Sequence, residues 1–140
     1  MSVASAVIVD ANVVVGGLTA NEASPVARIL DGMLAAAFPF AMSEALLTVY
    51  RTVLVRPKLH GLTVAQIEAI LTDLAQHAIV LHPQPLAAPR APDPGDQLCG
   101  DLLEARADLV LVSGHRLLLQ DPGMRGRVIA PQAFVAGIDA

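Results

Sequence analysis

Apolar residues in this chain fall into short unbroken runs, and amphipathic stretches separate the runs. "SAVIVDANVV" is β-branched and apolar up to Asp10, which is the pattern of a central parallel strand covered on both faces. "SPVARILDGMLAAA" places Ser24 as an N-cap and Pro25 at the first helical position. Behind them Val26, Ile29, Leu30, Met33 and Leu34 recur at helical spacing. "FPFAMS" reads as a short second strand. "SEALLTVYRTVLVRP" predicts a helix from Ser43 that stops at Pro57, and "LTVAQIEAILTDLAQHA" predicts another capped at Thr63. "AIVLHP" is a short strand, "LAAPRAPDPG" a rigid proline-rich loop and "PGDQLCGDLLEARA" a helix. "DLVLVS" is a strand that ends in a turn at Ser113 and Gly114, with a short helix starting near His115. "RVIA" is a last strand, and "PQAFVAGI" a final helix with Pro131 at its start.

Strands alternating with helices imply a three-layer α/β/α sandwich with a central, mostly parallel sheet. Residues 6–9 and 109–112 are expected among its strands. In such sheets functional groups gather beyond the carboxyl ends of the strands. Four places meet that condition: Asp10, residues 43–49, residues 93–96 and residues 113–115.

Composition narrows the picture. A length of 140 residues predicts one domain covering the whole chain. With 54% hydrophobic and 16% charged residues, much of the chain is interior, and at 3% aromatic the interior is built from Ala, Val and Leu. Apolar runs fall short of the roughly 18 residues a membrane span needs. The N-terminus lacks a basic segment and Asp10 interrupts it, so a secretory signal is not expected. The single cysteine, Cys99, has no internal partner, which predicts a cytoplasmic protein. A net charge of −4 argues against a generally basic nucleic-acid coat and leaves room for a local basic patch. A P-loop, a GxGxxG turn, a serine elbow and a CxxC pair are all missing from the sequence, and His60, His77 and His82 lack metal-ligand spacing.

Three segments carry a resemblance to a known family. "VIVDANVVVGGL" resembles the opening strand of PIN domains, in which an aspartate and then a polar residue two positions on follow the apolar run. "LLTVYRTVLVRPKL" resembles the helix that bears the family's second acidic residue. "DPGDQLCGDLLEARADLVLVSGHRLLL" resembles the aspartate loop, helix, strand and turn of its second half. The likeness runs from about Val7 to Ile129 and is greatest to bacterial PIN proteins described as toxins of toxin–antitoxin pairs, related to VapC. The resemblance implies metal-dependent hydrolysis of single-stranded RNA, with carboxylates holding Mg²⁺ or Mn²⁺. Such hard ions prefer oxygen ligands, activate water and neutralise charge on the phosphate.

Carried over residue by residue, the resemblance puts Asp10 at the first carboxylate and Asp96 at the third, with Asp93 in the same loop. The helical glutamate position falls on Val49, and the last aspartate position falls on His115. Glu44 does not replace Val49, because five residues of helix turn it about 140° away. His115 reads as a ligand or a general acid–base group, or as a plain helix-start residue; imidazole suits Mn²⁺ better than Mg²⁺. Asp10, Asp93 and Asp96 read as ligands or as caps. Asn12 and Ser113 read as supports of the site or as turn residues, and Ser43 as an N-cap or a site hydroxyl. Arg56, Lys58 and Arg116 read as a phosphate-binding patch or as solvated helix ends. Cys99 reads as packing.

Three functions are consistent with this. One is a toxin-type ribonuclease with an atypical acidic site, covered by an antitoxin protein. The second is a catalytically impaired PIN-like module that binds RNA or an antitoxin. The third is a small-molecule-binding α/β domain. A homodimer through helices is expected, since so apolar a small domain would leave helix surface exposed on residues 62–75 or 24–37. Asp10, Asp96 and His115 are expected to line one cleft, with Val49 at its wall.

Overall fold

The computed structural model describes residues 6–21, 23–55, 61–82, 102–103, 108–115, 119 and 127–139. In chain order they form β1 (Val7–Val9), α1 (Ala11–Thr19), α2 (Pro25–Leu34), β2 (Ala41–Met42), α3 (Glu44–Leu54) and α4 (Val64–His77). These are followed by β3 (Ile79–Val80), β4 (Val110–Val112), β5 (Val128–Ile129) and α5 (Pro131–Asp139).

All strand pairs among the described residues are parallel. β1 lies on β4 with Ile8 opposite Leu111, β4 lies on β5 with Leu111 opposite Val128, and β2 lies on β3 with Ala41 opposite Ile79. A parallel bridge from Val7 to Phe40 joins the two groups, so the strands run β3-β2-β1-β4-β5 across the sheet. The helices sandwich this sheet, giving the expected α/β/α architecture. From β1 the chain moves outward through β2 and β3, then returns to the other side of β1 for β4. The order therefore reverses between β1 and β4, which opens a crevice at their carboxyl ends.

The predicted caps are present. Ser24 accepts the Ala27 N–H at 3.2 Å, with Pro25 opening α2. Thr63 and Gln66 form a reciprocal capping box at the start of α4. The core contains Ile8, Val9, Ile29, Met33, Leu54, Leu74, Leu111 and Val112, each fully buried.

Two expectations need correction. The sequence reading gave no helix after Asp10, yet α1 begins at Ala11. Its three valines and two glycines are poor helix formers, and packing on α2 overrides that propensity. Gly17 permits the approach: a β-carbon there would lie 2.7 Å from Leu30 Cβ and 2.8 Å from the Val26 carbonyl oxygen. The second correction concerns exposed helix surface. Of the segments expected to carry an apolar patch, residues 62–75 expose Val64 and residues 24–37 expose no large apolar side chain. Both stripes are already spent on the core, through Ile67, Leu71 and Leu74 on α4 and Ile29, Leu30 and Met33 on α2. None of the described helices is long and apolar enough to cross a membrane.

Candidate functional site

Asp10 and Ser113 stand side by side where the strand order reverses. β1 ends as the Asp10 N–H donates to the Val112 carbonyl at 3.0 Å, and β4 ends as the Ser113 N–H donates to the Ile129 carbonyl at 3.1 Å. The register of the sheet therefore sets two residues 103 apart in sequence against each other. The Ser113 hydroxyl donates to Asp10 Oδ2 at 2.8 Å and accepts the His115 N–H at 3.0 Å. Asp10 Oδ1 accepts the Asn12 N–H at 3.3 Å, which makes Asp10 the N-cap of α1. The positive end of α1 favours the carboxylate there.

Asp10 is 9% exposed, and it is the buried carboxylate among the described residues. A carboxylate offers about four acceptor sites, and these two bonds occupy two of them. The free lone pairs can serve a hard cation or a water.

Tyr50 supports the strand end from α3, where its hydroxyl donates to the Val9 carbonyl. Sequence reasoning missed this residue. The signal was present, because Leu46, Tyr50 and Leu54 fall on one helical stripe and a tyrosine buried on such a stripe needs a partner for its hydroxyl. Ser43 caps α3 by accepting the Leu46 N–H at 3.1 Å. Val49 is half-buried and packs against the core. Asn12 is exposed on the first turn of α1. The His115 carbonyl accepts the Leu119 N–H at 3.1 Å, and its buried Nδ1 has no partner among the described residues. Asp93, Asp96, Arg56, Lys58, Arg116 and Cys99 lie outside the described residues.

A cleft of about 280 Å³ opens beside this junction, lined by Asn12, Val13, Val26, Gly114, His115 and Pro131. Asp10 and Val49 are not among the described residues that line this cleft. Asp10 turns back onto its own helix and Ser113, and Val49 faces the core. Of the three residues expected to line one cleft, His115 does so and Asp96 lies outside the described residues.

As a metal centre, the described residues supply a beginning. Asp10 offers the hard oxygen donor that Mg²⁺ and Mn²⁺ take. Among the described residues, no group of three or more His, Cys, Asp or Glu side chains could hold an ion.

A PIN domain family model matches residues 6–116, and the chain belongs to the PIN domain family. The matched span starts in the approach to β1, takes in the Asp10–Ser113 junction and ends just past His115. The PIN domain is a nuclease-like fold, and its members generally use divalent metals and typically bind nucleic acids. No curated protein and no solved structure is significantly similar to the chain.

Proposed function

We propose that this chain is a toxin-type PIN ribonuclease, related to VapC, that cleaves single-stranded RNA. In this reading the whole chain is one PIN-like unit in the cytoplasm, a homodimer whose site an antitoxin protein covers. One observation carries the proposal. In a PIN-family chain, a buried aspartate stands at the strand-order reversal and is held by a serine from the neighbouring strand. Asp10, Asp93 and Asp96 would hold Mg²⁺ or Mn²⁺, which when bound supplies charge neutralisation and an activated water. Ser113 fixes one Asp10 oxygen and leaves the remaining lone pairs for the ion. Asn12 and Ser43 shape the helix starts on either side, and Arg56, Lys58 and Arg116 would meet the phosphates.

A second reading is a PIN-like module that binds RNA or an antitoxin without cutting. Val49 packed on the core favours it, because a valine neither holds an ion nor moves a proton. A cleavage assay on single-stranded RNA decides between them. Wild type is expected to cleave weakly with Mg²⁺ and better with Mn²⁺, which accepts an imidazole ligand more readily. Asp10→Asn is expected to be silent, and Val49→Glu with His115→Asp to gain Mg²⁺ activity. Brisk wild-type cleavage in Mg²⁺ that is unchanged by His115→Ala would show that the site is not weakened. A silent wild type with an active double variant would favour the binding module.

A further inference from the structure

We propose that the cleft beside Asp10 is a pocket for a single RNA base next to the bond being cut. The inference rests on the nuclease reading and gives it a specificity element. The cleft sits where the first turn of α1, the turn after β4 and the start of α5 meet, and Asp10 is not among its described lining residues. Its size suits one base. At about 280 Å³ it lies at the small end of ligand sites, which run from roughly 300 Å³ upward.

Its chemistry is mixed in the way a base requires. Val13, Val26 and Pro131 give apolar walls for the flat faces. Asn12 is exposed at the rim, and only its backbone N–H is engaged among the described residues, so its amide is free to offer one donor and one acceptor to a base edge. His115 adds a flat ring to the lining, and a ring of this kind serves as a stacking surface for unpaired bases. The buried Nδ1 of that ring has no partner among the described residues, which leaves a hydrogen-bonding group unspent beside the cleft. A bond from the His115 N–H to Ser113, which in turn holds Asp10, ties the pocket to the carboxylate. A base seated there would therefore set the register of the backbone against Asp10.

The test is an abasic scan. Fluorescently labelled single-stranded oligoribonucleotides, each lacking one base at a different position, are titrated with the full chain in Ca²⁺ and binding is read by anisotropy. Wild type is expected to lose roughly 10-fold or more in affinity when one particular base is missing. Asn12→Ala and Gly114→Leu are expected to abolish that positional penalty while still binding RNA. Asn12 is on the surface, and a β-carbon at Gly114 meets nothing within 4 Å, so both variants should fold. RNA binding with a flat scan, or a penalty that both variants retain, overturns the pocket and leaves the nuclease reading standing. Failure of wild type to bind any of the oligonucleotides overturns both.

Discussion

The α3–α4 hairpin and the β1–β4 junction solve opposite problems. In the hairpin the caps and apolar stripes are local, while the Tyr50 hydroxyl reaches out to the Val9 carbonyl. Ser43 and Thr63 cap their own helices, and Leu46, Tyr50, Leu54, Ile67, Leu71 and Leu74 fill the interior at helical spacing. One exposed ion pair, Arg51 to Glu68 at 2.9 Å, ties the two helices on the outside. At the junction the groups come from distant segments. A buried carboxylate keeps unused acceptor sites, a half-buried histidine has a nitrogen without a partner among the described residues, and an open cleft adjoins them. The hairpin has a groove of its own, about 310 Å³ between Leu47, Arg51, Leu71 and Gln76, so open volume does not separate the two regions; unspent valence at a strand-order reversal does, and that is where chemistry is placed.

Four substitutions probe that contrast. Leu74→Ala strikes the hairpin hardest. Leu74 is fully buried, and its truncation is expected to destabilise the protein by about 2–5 kcal/mol in denaturant unfolding. RNA cleavage per folded molecule should stay unchanged, and an activity loss in the folded fraction would show that the hairpin shapes the site.

Ser113→Ala is expected to do the reverse. It removes the donor to Asp10 Oδ2 and the acceptor of the His115 N–H. Cleavage or metal affinity should fall by about 10–100-fold, as for other residues that orient a ligand. The fall should exceed what the lost stability accounts for, so a loss explained wholly by unfolding would leave Ser113 a turn residue.

Thr63→Ala is expected to cost about 1 kcal/mol through the lost cap, with no change in RNA binding. Equilibrium unfolding and anisotropy measure the two separately. A change in RNA affinity would carry the hairpin into the function.

Glu68→Gln is expected to do least. The Arg51 guanidinium, hydrogen-bonded to it, holds the Glu68 carboxyl below the usual carboxylate range. Because the folded value is depressed, the contribution is present at neutral pH and is lost as the pH falls through that value. Both side chains are solvent-exposed, so the effect should be barely measurable and should fade with added salt. Melting curves of wild type and variant should converge on acidification, and a large gap at high salt would contradict this.

Much of the fold was legible because its signals are local. The start of α2 at Ser24 and Pro25, the Thr63 cap and the apolar runs of β1 and β4 depend on residues within a few positions of each other. The start of α1 was not legible. Its valines and glycines argue against a helix, and only contact with α2 through Gly17 reverses that.

The same division runs through the site. The chain alone announced Asp10 as an acidic end to an apolar strand, and Val49 and His115 as departures from a PIN-like acidic set. It also placed Ser113 and His115 in one turn. That Ser113 bonds Asp10 depends on β1 lying directly beside β4, and that Tyr50 braces Val9 depends on α3 crossing the end of β1. That Asn12 and His115 share one cleft depends on the first turn of α1 lying beside the turn after β4. Residues so far apart in sequence have no pattern of spacing to read. Parallel pairing joins segments through long crossovers, so the sheet order alone decides which strand ends meet.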